Sequence, residues 1–233
     1  LSIAANLADV RRRVAEAARR AGRDPEDVTV IAVSKTFSAD HVRQAWEAGQ
    51  RDFGENKVQE ALQKIDDTAD MPARWHLIGH LQSNKARKAA GAFACIHSVD
   101  SVDLLKRLDG AAGTGAASTP DVLVQVDLAG ETTKFGAARE DAERCVHEAL
   151  TCKNVKLAGL MLLPPWNTDP EQTRPWFIRL REFRDSLIRG GVPAATLRHL
   201  SMGMSHDYEA AIEEGATLIR VGTAIFGKRQ VRT

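Results

Sequence analysis

Lys35 is the first residue in this chain placed to form a covalent bond, because it ends the continuous apolar run VTVIAVS (28–34). A lysine at such a strand end, partly desolvated and near another cation, loses its proton and becomes a nucleophile toward an aldehyde. The position equally suits a solvated lysine, whose stem reaches water from most strand ends. Arg220 lies in or at the end of another apolar run, ATLIRVG (216–222). An arginine there needs a carboxylate partner or a ligand. Beside it, Gly222 admits close approach to the backbone and Thr223 offers both N–H and hydroxyl donors. Ser201, Gly203 and Ser205 fall within LSMGMSHD (200–207), just before a helical pattern, where free N–H groups favour anions. Together these residues describe a phosphate cup, although Ser205 or Asp207 alone reads as an ordinary helix cap.

Further polar residues are more ambiguous. Asn56 either caps a helix or touches a ligand. His80, beyond Gly79, is a pocket candidate, whereas His76 inside its strand reads as a satisfied core histidine. Lys85, Arg87 and Lys88 form a basic helix face that is either solvated or docks an acidic partner. Gly227 and Lys228 lack the upstream glycine and following Ser/Thr of a nucleotide P-loop.

The elements that must carry these residues alternate along the chain. Residues 3–21 read as an amphipathic helix, ended by Gly22 and Pro25. Strands are expected at 28–35, around 52–53, and at 75–79, 93–99, 121–128, 155–162, 197–203 and 216–222. Helices follow from Ser38–Asp40 through Trp46, then near 57–65, 83–90, a segment capped near Asp100, 138–150, 171–188 and 207–214. Eight short apolar strands alternating with helices imply a parallel sheet with right-handed crossovers, and closure into a (β/α)8 TIM-type barrel is the natural solution. A doubly wound sheet would carry an early glycine-rich turn, which Ser34-Lys35-Thr36 is not. The N-terminal helix is expected to cover the place of a missing eighth outer helix. GAAGTGAASTP (110–120) and PPWNTDPEQTRP (164–175) read as loops.

In such a barrel, ligands bind at the C-terminal ends of the strands. Those ends collect Ser34-Lys35-Thr36, Gly54-Glu55-Asn56-Lys57, Gly79-His80-Leu81-Gln82, His97-Ser98, Met161, the Ser201–Ser205 segment and Arg220–Thr223.

Composition bounds the function. A net charge of +1 argues against nucleic-acid or membrane-surface binding, which needs a basic patch. No apolar run approaches membrane length, and no leader is visible at the start. Cys95, Cys145 and Cys152 lack C-x-x-C spacing, so neither zinc nor a disulfide framework is expected, and a reducing cytoplasm fits best.

The segments AVSKTF (32–37), FGENKVQE (53–60), WHLIGHLQSNK (75–85), HSVDS (97–101), ETTKFG (131–136), LAGLMLLPP (157–165), LSMGMSHD (200–207) and IRVGTAIFG (219–227) make the chain recognisable. It resembles the pyridoxal phosphate (PLP) homeostasis protein family, which shares the N-terminal barrel of alanine racemase. The resemblance spans nearly the whole chain, 1–233, as one barrel with no second β domain. It implies that Lys35 holds PLP as an internal aldimine and that Arg220 faces the pyridine nitrogen. It also implies that Ser201, Gly203, Ser205, Gly222 and Thr223 form the phosphate loops, with Asn56 and His80 near the ring. No catalytic residue is assigned beyond Lys35, and no metal is expected.

An arginine at the pyridine nitrogen cannot hand over a proton, so the ring stays a weak electron sink. The only tyrosine, Tyr208, is expected at the surface rather than as a racemase base. The implied role is a PLP carrier in vitamin B6 homeostasis, passing PLP to dependent apoenzymes as a cytoplasmic monomer. Two rivals remain: a slow amino-acid racemase using Lys35 and a second base such as His80, and a regulatory module that acts through a protein surface. A Schiff-base aldolase is a weaker barrel alternative, because no second lysine is visibly paired with a substrate.

Overall fold

A computed structural model describes residues 2–114, 119–130 and 135–228. Eight parallel strands close into a barrel in sequential order. They are β1 (Thr29–Val33), β2 (Asp52–Glu55), β3 (Arg74–Leu77), β4 (Cys95–Val99), β5 (Asp121–Val126), β6 (Lys156–Leu162), β7 (His199–Met204) and β8 (Leu218–Val221). Closure is direct: β1 pairs with β8 through Thr29–Leu218, Val30–Ile219, Ile31–Arg220 and Ala32–Val221.

Alternation along each strand sorts residues to two sides of the barrel wall. Ile31, Cys95, Leu123, Ala158, Met161 and Leu218 fill the inside. Ala32, Ile96, Val122, Leu160, Ile219 and Val221 face outward into a larger core shared with the helices. Those helices are α1 (Ile3–Arg20), α2 (Ala39–Glu47), α3 (Val58–Asp67), α4 (Ala86–Ala92), α5 (Val102–Ala112), α6 (Arg139–Ala149), α7 (Arg174–Arg189), α8 (Tyr208–Glu213) and α9 (Thr223–Phe226). α1 starts where Ser2 accepts the N–H of Ala5, and buries Leu7, Val10, Val14, Ala17 and Ala18. No helix among the described residues is long and apolar enough to cross a membrane.

Several expected boundaries move. α5 is capped by Ser101, which accepts the N–H of Leu104, rather than by Asp100, and it absorbs Gly110-Ala111-Ala112 from the expected loop. Residues 115–118 of that loop, and 131–134 of the ETTKFG stretch, lie outside the described residues. α7 starts at Arg174 rather than Glu171, after a 3₁₀ turn at Pro170–Gln172. The short α9 was not expected, and it brings Gly222 and Thr223 to a helix start. α1 packs against it, with the Asn6 amide donating to the Ile225 carbonyl at 2.8 Å. Tyr208 is a correction: it is 1% exposed rather than a surface residue, and the Arg13 guanidinium sits over its ring.

Candidate cofactor site

A cavity of about 930 Å³ opens at the C-terminal ends of the strands. Lys35, Asn56, His80, Ser205, Arg220, Gly222 and Thr223, all expected there, line it. So do Met204, from the expected Ser201–Ser205 segment, and Gln125, Phe135, Trp166, Thr168 and His206, which sequence reasoning missed. Of these, Gln125 left a signal, a polar residue inside the apolar strand DVLVQV. Its amide donates to the Phe135 carbonyl at 2.6 Å and so anchors the wall.

Lys35 follows β1 and is half-buried. The residue after it, Thr36, is the only non-glycine among the described residues with positive φ, at 70°. A β-branched residue in that region is strained, and such strain persists where surrounding structure fixes the chain. The residue before Lys35 is pinned from below. Ser34 is fully buried, and its hydroxyl donates to Glu55 Oε1 at 2.6 Å. Lys64 Nζ donates both to the same carboxylate and to the Ser34 carbonyl, each at 2.6 Å. β1, β2 and α3 are thus tied together directly beneath Lys35.

On the opposite wall, Arg220 is 3% exposed and makes no ion pair among the described residues. Its Nη1 donates to Ser201 Oγ at 2.5 Å and its Nη2 to the Leu162 carbonyl at 2.9 Å. Burial pulls its pKa down to about 10. A guanidinium carries five donors, so a buried cation with two protein acceptors still has donors for a ligand on the cavity side.

Ser205 and the start of α9 form the third wall. Ser205 Oγ accepts from the N–H groups of Gly222 at 3.1 Å and Ala224 at 3.4 Å. An oxygen acceptor therefore already faces these N–H groups, whose orientation toward an anion is built in. His80 stacks on Phe135 with ring centroids 3.7 Å apart, and its Nδ1 lies 3.4 Å from Asp100. Burial raises the Asp100 pKa above the usual carboxylate range. Gly79 lets this wall close on the next, since a Cβ there would sit 2.2 Å from the Asn56 carbonyl oxygen.

Three expected placements change. Ser201 is fully buried beneath Arg220, not on the cavity wall, and its Oγ also lies 2.8 Å from His97 Nδ1. Gly203 is likewise off the wall. At φ 92° it gives way to α8, where a Cβ would lie 2.7 Å from Ala211 Cβ. His97 lies within β4, fully buried, rather than at the mouth.

One buried and one half-buried histidine give a pH dependence. Burial lowers the His199 pKa to about 4 and holds His97 well below the usual range. Arg198 Nε donates to His199 Nε2 at 3.1 Å, which requires that nitrogen to be unprotonated. Both groups bind a proton more readily when unfolded, so their contribution is present above about pH 6.5 and lost as pH falls below it. Urea unfolding between about pH 6.5 and 5.5 should show falling stability, with His199→Gln removing at most about 1 kcal/mol of the fall, since solvent screens this half-buried group in part. An unchanged fall in that variant would mean that His199 titrates normally.

The sequence matches the family described as alanine racemase, N-terminal domain, over residues 5–230. It is 46% identical over 228 residues to the pyridoxal phosphate homeostasis protein of Pseudomonas aeruginosa, covering 98% of this chain and 96% of that one. The protein of the same description from Aquifex aeolicus is 42% identical over 224 residues, covering 96% and 97%. The chain belongs to the pyridoxal phosphate homeostasis protein family. The solved structure of one similar protein, PipY of Synechococcus elongatus with PLP bound, superposes with a TM-score of 0.86 at 41% identity, covering 97% of this chain and all of that one. Alanine racemase of Streptomyces coelicolor shares the fold alone, with a TM-score of 0.70 at 22% identity. There the match covers 98% of this chain but 59% of the racemase, so the family's barrel corresponds to part of the larger enzyme.

Proposed function

We propose that this chain binds PLP covalently through Lys35 and serves intracellular PLP homeostasis as a carrier, with no efficient turnover of its own. The observation that supports this most is Arg220, a buried cation with no carboxylate partner among the described residues, lining the same cavity as a lysine. When bound, PLP supplies an aldehyde for covalent attachment and a ring able to draw electrons from an amino acid. Lys35 provides the amine. Arg220 offers N–H donors to the ring nitrogen and holds no proton acidic enough to give away, so the ring stays a weak sink. Ser205, Gly222 and Thr223 hold the phosphate through hydroxyl and N–H groups, and Asn56 and His80 flank the ring.

Similar proteins described as pyridoxal phosphate homeostasis proteins support the cellular role. The free thiols Cys95, Cys145 and Cys152 agree with a reducing cytoplasm. The further reading is a monomer that passes PLP to dependent apoenzymes, the open cavity mouth being where PLP leaves. A racemase needs two bases across the α-carbon, and Tyr208 is unsuited to be one because it is buried beneath Arg13. PLP-loaded protein incubated with L-alanine in D2O should exchange the α-proton no faster than free PLP does. Exchange well above that rate, lost in Lys35→Ala, would favour the racemase reading.

A further inference from the structure

Inside the barrel, polar side chains form a continuous line from the cavity to the opposite end. Below Arg220 and Ser201, His97 Nε2 lies 3.0 Å from His76 Nδ1. His76 Nε2 lies 3.0 Å from Asp52 Oδ1, and Asp52 accepts from Arg74 Nε at 2.7 Å and Nη2 at 2.5 Å. Asp52 and Arg74 open β2 and β3, at the end of the barrel away from the cavity. Asp52, His76, His97, Ser201 and Arg220 are all buried, and only Arg74 reaches solvent.

With both imidazoles neutral, the chemistry of the two ends sets the direction of the bonds between them. A guanidinium only donates, and an ionised carboxylate only accepts. Burial pushes the Asp52 pKa up, but the hydrogen bonds from His76 and Arg74 outweigh it and hold the group below the usual range. Burial keeps His97 neutral. Ser201 Oγ accepts from Arg220 and keeps its own proton to donate to His97 Nδ1. His97 then donates from Nε2 to His76 Nδ1, and His76 donates from Nε2 to Asp52. Between neutral rings the reverse order would set a bare imidazole nitrogen against a carboxylate oxygen, and a second proton on His76 Nδ1 would turn the His76–His97 bond around.

We propose that His97 and His76 are positioning residues that hold Arg220 through Ser201, in a one-way hydrogen-bond chain anchored on Asp52. Every mobile proton in the chain is directed away from the cavity. Arg220 is thereby kept as a pure donor with a fixed aim, and no acidic proton is offered from beneath it. The inference rests on the proposed function in assigning Arg220 to the PLP ring, whereas the tautomers follow from this chain alone.

The same place tests a rival occupant. His76, Cys95 and His97 bring their potential ligand atoms within 4.8 Å of one another. A metal there would replace the proton between the two rings and take the thiol proton of Cys95, whose ionisation burial opposes. Metal and one-way chain exclude each other.

The experiment is 15N–1H correlation of the imidazoles in the full chain, with and without PLP, combined with PLP titration of His97→Phe and His97→Gln. Expected are two rings that each carry a proton at Nε2 and none at Nδ1. His97→Phe should bind PLP about tenfold more weakly with a displaced PLP absorption band, and His97→Gln, which keeps one acceptor and one donor, should recover most of both. An Nδ1-protonated ring, a stoichiometric bound metal, or a folded His97→Phe with wild-type PLP affinity and spectrum would each overturn the proposal. Should His97→Phe not fold, the wild-type tautomers and His97→Gln still decide. Wild-type protein that takes up no PLP would instead overturn the proposed function, leaving the tautomer assignment to stand or fall on the ligand-free spectra.

Discussion

Arg220→Met should weaken PLP binding about a hundredfold while making the ligand-free protein more stable, not less. Depression of the Arg220 pKa from its usual value to about 10 corresponds to a burial cost of about 3 kcal/mol for the cation. The sign is that of a cation disfavoured by folding. Below about pH 10 both states keep the proton and the cost is constant, and it is relieved only as pH rises through the folded pKa. Methionine of similar length removes that cost. It leaves the Leu162 carbonyl without this donor, a loss of about 1–2 kcal/mol, so a net gain of about 1 kcal/mol is expected by urea unfolding. Ser201 keeps its bond to His97. A variant that melts earlier yet binds PLP normally would mean that Arg220 is a structural residue.

Glu55→Gln should cost about 3–5 kcal/mol, because it leaves Lys64 as a buried cation without its counter-charge. Both side chains are nearly inaccessible, at 0% and 11% exposure, so solvent screens the pair little. The pair also carries Ser34, and with it the backbone leading into Lys35. The double change Glu55→Leu with Lys64→Met should recover most of the stability, since an apolar pair of similar volume needs no counter-charge. It should not recover full PLP affinity, because the tie on Ser34 is gone. Equal melting of Glu55→Gln and wild type would show that water reaches the pair.

The barrel was legible because each strand is a short apolar run, and parallel strands covered on both faces need no alternation to be recognised. The cavity wall was legible for the same reason: in this fold the residues after each strand must meet, and seven of the nine expected site residues line the cavity. Ser201 and Gly203 were misplaced because β7 runs on to Met204, which leaves both below the mouth of the barrel. Whether a residue inside a strand faces the barrel axis depends on register, and β7 shifts register against β8 between Ser201 and Met204. His97 has the same history in β4, where Cys95 and His97 face inward and Ile96 outward. Nothing in CIHSV separates a histidine at the mouth from one on the axis. The Glu55–Lys64 pair escaped notice because it joins residues of two elements, and nothing in the sequence brings a strand-end glutamate to a lysine on the following helix. Tyr208 was expected at the surface because it falls on the helix after β7, but α1 packs on that helix and Arg13 lies over its ring.

The most direct measurement is borohydride reduction of the PLP-loaded wild-type protein, followed by peptide mass mapping. One phosphopyridoxyl group per chain, on the peptide containing Lys35 and absent from Lys35→Ala, is the expected result. Label spread over surface lysines such as Lys57 and Lys85, or none at all, would contradict covalent PLP binding at the end of β1.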